Sequence, residues 1–337
     1  MSQEFDIAVL GATDAVGEAI VQVLEDRNFP IRNLYLLADE NGAGGALRFH
    51  GKSKLVKNVD NFDWSQVQIA FFSAGEEASE HWAPIATDHG VIVIDNSSLF
   101  RYDHDVPLVI PEVNPHAIAD YRNRNIIATP SSTTIQMLVA LQPIHEAYGI
   151  ERINVATYQS VSGSGKKGID ELAGQTAKLL NGLAAETKVY DKQIAFNCLP
   201  HIDEFLDNGY TKEEMKMVSE TQKILGDGNI RVNPTCVRVS VFYGHAEALH
   251  VETSQPVNIE EATRLLDEAE GIEVFHNNEY PTQVSDATGK DHVMVSRIRE
   301  DISHPCGLNM WVVADNVRKG AATNSIQIAE LLIRDYM

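Results

Sequence analysis

Two adjacent serines at the foot of an apolar helix are the residues of this 337-residue chain best placed to do chemistry. The stretch reads Ile126-Ile-Ala-Thr-Pro-Ser-Ser-Thr-Thr-Ile-Gln-Met-Leu-Val-Ala-Leu141. The pair Ile126 and Ile127 ends in a turn at Pro130, after which Ile135, Leu138, Val139 and Leu141 recur at helical spacing. Ser131 or Ser132 therefore falls at a helix start, where N–H groups without intrahelical partners favour negative charge. That position suits an activated nucleophile. It equally suits a plain N-cap, and the residue pattern by itself favours the cap.

Other chemistries find less support. Cys198, Cys236 and Cys306 are widely spaced and odd in number, which predicts reduced, buried thiols instead of a disulfide framework or a zinc site. No paired histidines stand at metal-ligand spacing, so no metal is expected. Gly163-Ser-Gly-Lys-Lys-Gly168 lacks the spacer and the hydroxyl residue of a phosphate loop, and Gly163-Ser-Gly165 lacks the spacing of a hydrolase nucleophile turn. A net charge of −21 argues against nucleic acid and anionic membrane surfaces as partners. No apolar run reaches about 18 residues, and Met1-Ser-Gln-Glu-Phe-Asp6 has no basic segment followed by an apolar one. A cytoplasmic protein is expected.

The elements that must position these residues follow from periodicity. With 44% hydrophobic residues the chain is long enough for two ordinary domains. Phe5-Asp-Ile-Ala-Val-Leu10 reads as a strand, Gly11-Ala-Thr-Asp-Ala-Val-Gly17 as a glycine turn, and Ile20, Val21, Val23 and Leu24 as the apolar side of a helix. Strand, glycine turn and helix in that order open a dinucleotide-binding βαβ unit. Leu34–Leu37, Val67–Phe72 and Val91–Ile94 read as further strands and Glu77–His89 as a helix, which predicts a mostly parallel sheet covered on both faces. From about Ile153 the alternation becomes stricter, in Arg152–Tyr158, Thr235–Phe242 and Glu247–Thr253. That pattern predicts a second, α+β domain with a mixed sheet.

Taken with its neighbours, the serine stretch resembles the catalytic turn of the aspartate-semialdehyde dehydrogenase family, Asn-Pro-Asn-Cys-Ser-Thr-Ile-Gln. Here Thr129-Pro-Ser-Ser-Thr-Thr-Ile-Gln136 places Ser132 where the family has its nucleophilic cysteine and Ser131 where it has asparagine. The resemblance runs over essentially the whole chain. It implies a Rossmann-type α/β domain, residues 1–131, completed by a C-terminal helix within 318–337, and a substrate-binding and dimerisation domain over 132–317. It also implies assembly as a homodimer or homotetramer, and NADP-dependent interconversion of aspartyl phosphate and aspartate semialdehyde through a thioester.

Residue by residue, the resemblance makes Arg101, Glu213 and Lys216 the phosphate region and Arg238 the holder of the substrate carboxylate. His245 matches the general base. Gln159 lies 27 residues past Ser132 and matches the orienting glutamine. Gly11, Thr13, Gly17, Ser73, Gly75, Ser162, Gly163 and Asn324 match positions that hold the dinucleotide. Two departures weaken that site. Asp14 replaces the middle glycine of the turn, where a carboxylate about 4 Å from a phosphate costs roughly 4 kcal/mol at an effective dielectric near 20. Asp14 also suits an N-cap, where it would take up the helix donors itself. Asn41, in Asp39-Glu-Asn-Gly-Ala-Gly44, replaces the arginine that meets the 2′-phosphate of NADP, while Asp39 suits the 2′-hydroxyl of NAD.

Ser132 itself is a far weaker acid than a thiol. The sequence therefore predicts an impaired or inactive homologue that still binds a small dicarboxylate or phosphate. The alternatives are a working NAD(P)-dependent dehydrogenase and a non-catalytic partner of an active paralogue.

Overall fold

The computed structural model describes residues 3–337. In chain order its regular elements begin β1 (Phe5–Leu10), α1 (Ala15–Asp26), β2 (Ile31–Ala38), β3 (Ala46–Phe49), β4 (Lys52–Asn58), β5 (Ile69–Phe72), α2 (Glu76–Asp88), β6 (Ile92–Asp95) and β7 (Ile126–Ala128). They continue with α3 (Ser132–Tyr148), β8 (Ile150–Gln159), α4 (Gly165–Leu180), β9 (Cys198–Leu199), α5 (Lys212–Leu225), β10 (Arg231–Val239) and β11 (His245–Thr253). The last are α6 (Ile259–Glu268), β12 (Ile272–Val274), β13 (Val293–Glu300), β14 (Gly307–Ala314) and α7 (Asn324–Asp335). The chain divides into two units, Met1–Ser131 with Ala321–Met337, and Ser132–Gly320.

The first unit is a sheet of order β3-β4-β2-β1-β5-β6-β7, parallel throughout except for the β3–β4 edge hairpin. β1, β5 and β6 are buried at every position, as an apolar run covered on both faces requires. Between β1 and α1 the backbone turns at Gly11, whose φ of +84° favours glycine and where a Cβ would stand 2.8 Å from the Ala74 nitrogen. At Gly17 a Cβ would come 2.0 Å from the Gly11 carbonyl oxygen, so only glycine lets α1 pack this closely on its turn. α7 belongs to this unit, where Glu330 receives two hydrogen bonds from Arg27 of the α1 C-terminus, at 2.8 and 2.6 Å.

The second unit is a mixed sheet of order β12-β13-β14-β11-β8-β10-β9. β8 pairs parallel with β10 and antiparallel with β11, and β11 pairs antiparallel with β14. α3, α5 and α6 pack on the sheet, and β8 alternates buried and open residues as a one-sided strand must. The other face presents Tyr158 and Trp311, whose rings lie 5.5 Å apart.

The closing boundary falls after Gly320 instead of after residue 317. Residues 318–320 stay with the second unit because Asp315 holds them. Its Oδ1 accepts from the backbone N–H groups of Val317 and Arg318, and its carbonyl accepts from that of Gly320. Arg318 also forms a two-pronged ion pair with Asp291. The expectation of three buried thiols needs correction too. All are free, but Cys198 is exposed on a short edge strand, Cys306 is half-buried, and only Cys236 is buried.

Candidate functional site

In the second unit, register brings three of the expected residues into one line. Arg238 of β10 sits opposite Gln159 of β8, and Gln159 sits opposite His245 of β11. Opposed residues on adjacent strands share a face about 4.8 Å apart. Guanidinium, carboxamide and imidazole therefore form a row, and all three side chains are buried.

Gln159 is fixed from both ends: its Oε1 accepts from the Thr157 hydroxyl at 2.9 Å and its Nε2 donates to Glu213 Oε1 at 3.1 Å. Glu213 and Lys216 stand on the first turns of α5, which begins with a capping box between Thr211 and Glu214. The Lys216 ammonium pairs with Asp203 at 2.7 Å and Glu213 at 3.4 Å. An incoming phosphate would share that cation with two carboxylates.

His245 is held in one tautomer. The Ser160 backbone N–H donates to its Nδ1 at 3.1 Å, and a backbone N–H has no acceptor role, so the neutral ring carries its proton on Nε2. Burial, then the Arg238 charge, push its pKa down to about 3. In this arrangement the ring presents a donor from Nε2, and the general-base role that the resemblance implies for His245 requires the other tautomer. Gly163 keeps the space before it open: a Cβ there would lie 2.7 Å from Arg238 Nη1 and 3.5 Å from His245 Nε2.

Ser132 is the first residue of α3, as its spacing predicts. Gly320 presses on it so closely that a Cβ at 320 would meet the Ser132 Cβ at 2.6 Å. One turn further along α3, Gln136 Nε2 donates to the His245 carbonyl at 3.4 Å and ties the serine-bearing helix to the histidine-bearing strand. Beside it lies Glu247, fully buried, with neither carboxyl oxygen hydrogen-bonded. Burial holds its pKa well above the usual carboxylate range, against the opposing effect of the Gln136 side chain. Sequence reading missed Glu247 and Gly320. An acid two residues after His245, on the same face of an apolar strand, was the available signal.

Asn316 was missed as well. Its Oδ1 accepts from the Ser160 and Ser162 hydroxyls and the Gly244 backbone N–H, at 3.2, 3.1 and 2.9 Å. Ser162 and Gly163, expected at the dinucleotide, thus belong to the second unit's own polar network.

The remaining cofactor positions lie in the first unit. Ser73 donates to the Leu10 carbonyl at 3.0 Å, Gly75 precedes α2 with φ +88°, and Asn324 opens α7 with its Nδ2 on the Val109 carbonyl at 3.1 Å. Thr13 lies beneath Gly42, where a Cβ would meet its hydroxyl at 2.9 Å. Asp14 takes the N-cap position of α1, but its side chain accepts no capping hydrogen bond. The carboxylate does not occupy the helix donors as a cap would. Partial burial and then the Asp39 carboxylate raise its pKa. Asp39 follows β2, and it is engaged locally by the Gly42 N–H at 2.9 Å and the Asn41 side chain at 3.2 Å. Arg101, also of the first unit, donates from Nη2 to the Asn96 carbonyl at 3.0 Å. Among the described residues no cluster of side chains forms a metal site, and no helix is long and apolar enough to cross a membrane.

Comparison with known proteins bears on this arrangement directly. Residues 6–121 match the semialdehyde dehydrogenase NAD binding domain, and residues 141–319 match the semialdehyde dehydrogenase dimerisation domain. The chain is 67% identical to aspartate-semialdehyde dehydrogenase 2 of Vibrio cholerae over 336 residues, all of both chains. It is 66% identical to the aspartate-semialdehyde dehydrogenase of Shewanella violacea, again over the full length of both. A crystal structure of aspartate semialdehyde dehydrogenase II from Vibrio cholerae superposes with a TM-score of 0.99 at 66% identity, covering 99% of this chain and 100% of that one. A probable aspartate-semialdehyde dehydrogenase from Pseudomonas aeruginosa, 37% identical, gives 0.96 over 99% of this chain and 100% of its own. On this full-length agreement of sequence and fold, the chain belongs to the aspartate-semialdehyde dehydrogenase family.

Proposed function

We propose that this chain is a working aspartate-semialdehyde dehydrogenase whose nucleophile is the Ser132 oxygen and whose chemical step is correspondingly slow. Identity of 66–67% to full-length enzymes of that name supports a working enzyme over the inactive homologue expected from the sequence. The observation that carries the assignment of residues is the row Arg238, Gln159, His245, tied to α3 through the Gln136 side chain.

In this reading Arg238 holds the substrate carboxylate, and the α3 N-terminus presents Ser132 to the aldehyde carbon. As the tetrahedral adduct forms, the Nε2–H of His245 donates to the carbonyl oxygen, and Gln159 keeps the reacting carbon in place. A bound nicotinamide dinucleotide would accept the hydride. The acyl group then rests on Ser132 as an ester until phosphate displaces it. Serine lacks two advantages of a thiol here: it does not ionise near neutral pH, and its ester is a poorer acyl donor. A His245 ring already donating from Nε2 is no base for it, so the serine proton leaves without dedicated help.

NAD and NADP are both candidates for the nucleotide. Asn41 gives NADP no cationic partner, and Asp39 favours a free 2′-hydroxyl. The open face of β8, β11 and β14, with Tyr158 and Trp311, supports a homodimer joined through the second unit. The substitution Ser132→Cys tests the nucleophile. Removing the nucleophile of another enzyme costs up to about 10⁶ in kcat, so restoring sulfur should raise turnover by roughly 10³ or more. A rate unaffected by both Ser132→Cys and Ser132→Ala would remove Ser132 from the mechanism.

A second reading, a protein that binds substrate without turnover, is favoured by one observation: Asp14 places an uncapped carboxylate at the phosphate turn. Absence of turnover with either nucleotide, together with calorimetric binding of the semialdehyde, would select it.

A further inference from the structure

A cavity of about 840 Å³ in the second unit reaches the buried face of Arg238 and is lined by Tyr190, Ser164, Leu199, Pro200 and Ile202 among others. Two of the residues that line it each hold a polar atom that is cut off from solvent and makes no hydrogen bond of normal geometry: Arg238 Nε and the Tyr190 hydroxyl. Arg238 is only 5% exposed, and Nη1 is committed to the Ser160 carbonyl at 2.7 Å. Its other donors therefore set the recognition in this wall.

Tyr190 packs its ring on Val161, Leu172, Ile194, Ala195 and Leu199. That packing explains the ring and leaves the hydroxyl without a role. The phenol oxygen lies at the first turn of α4, where a Cβ on Gly168 would come within 2.7 Å of it. Ser164, the N-cap of α4, makes no side-chain capping bond, and its hydroxyl approaches the phenol without forming a hydrogen bond of normal geometry. Burial holds the phenol's pKa above its ordinary value, so it remains a donor. A guanidinium, a phenol O–H and a 16-residue helix N-terminus thus converge on one place. All three favour the same occupant, a carboxylate.

We propose that Tyr190 is a second anchor for the substrate carboxylate, sharing it with Arg238 at the start of α4. This rests on the reading of the chain as a protein that binds aspartate semialdehyde. Tyr190 thereby becomes a specificity-determining residue. It favours substrates with a carboxylate on the carbon chain over those carrying a carboxamide there, because the anion offers an oxygen to each donor and strengthens both bonds by its charge, whereas the amide turns an NH2 toward groups that only donate.

The test is calorimetric titration of the full-length protein with aspartate semialdehyde, without phosphate or dinucleotide, so that no turnover enters. Tyr190→Phe keeps the ring and its packing, and should weaken binding about tenfold, the worth of a hydrogen bond to a charged group. Its thermal midpoint should not fall, since the hydroxyl has no partner in the free protein. Arg238→Met should abolish the heat. The analogue with a carboxamide in place of the carboxylate should bind weakly and equally to wild type and Tyr190→Phe. Equal semialdehyde affinities for wild type and Tyr190→Phe would overturn the assignment of Tyr190 alone. No heat from the wild-type protein would instead overturn the substrate reading beneath it.

Discussion

In the proposed reading, the oxygen at position 132 sets how fast this protein works. A thiol at a helix N-terminus reaches its reactive form by losing a proton it holds weakly, whereas a hydroxyl needs a base during attack. The one imidazole in the row is fixed with Nδ1 accepting from Ser160 and its pKa near 3. Its charge therefore stays at zero across the working range, and the pH profile of turnover should show no inflection near 6.5, the unperturbed histidine value. A bell with an acidic limb at that pH would contradict this assignment. At the glycine turn the proposed obstacle to a nucleotide phosphate is Asp14, with the Asp39 carboxylate near enough to act on it. Asp14→Gly should tighten NAD binding about tenfold to a hundredfold, less than the fixed-distance Coulomb figure because the side chain meets solvent. Because the Asp14 pKa is raised, the charge is lost first on acidification, and wild-type affinity should rise as pH falls while the Asp14→Gly affinity stays flatter. Titrations at two pH values check both.

Among elements, α3 carries Ser132 and packs on β11, which carries His245. Their polar link is Gln136 to the His245 carbonyl, with the buried Glu247, its pKa raised, beside it. A carboxyl whose folded pKa exceeds its unfolded value of 4.5 holds an extra proton in the native state. Folding stability therefore declines as pH rises from 4.5 and levels off above the folded pKa. Glu247→Gln should abolish that contribution and stay within about 1 kcal/mol of wild type near pH 5, as urea unfolding across pH would show. An unchanged pH slope would mean that Glu247 is ionised in the folded state. The strand-turn-helix opening and the α3 start were legible because apolar period and glycine placement are local signals. The β3–β4 hairpin was not, since Ala46–Phe49 alternates weakly and carries no two-residue turn signature of its own beyond His50-Gly51. The tautomer of His245 was equally out of reach, because its partner Ser160 lies 85 residues away.

At the scale of the whole molecule, the two units carry separate parts of the account. The row of Arg238, Gln159 and His245 lies entirely within Ser132–Gly320, while the glycine turn with Asp14 and Asp39 lies in the other unit. Defects at Ser132 and at Asp14 should therefore be independent, and Asp14→Gly should improve nucleotide affinity to the same degree with serine or cysteine at 132. Assembly is assigned to the second unit, whose open sheet face carries Tyr158 and Trp311. Tyr158→Glu should shift the species seen in sedimentation equilibrium from dimer toward monomer; a wild-type monomer would remove the assignment. How the residues line up across β10, β8 and β11 was not legible in the sequence, since register depends on long-range pairing.

Attack by the Ser132 oxygen is tested by a three-way comparison of kcat for wild type, Ser132→Ala and Ser132→Cys, with aspartate semialdehyde, phosphate and NAD or NADP. Slow turnover is expected in the wild type, less in the alanine variant, and a rise of roughly 10³ or more with cysteine. Wild-type turnover equal to that of the cysteine variant, or undiminished by alanine, would contradict it.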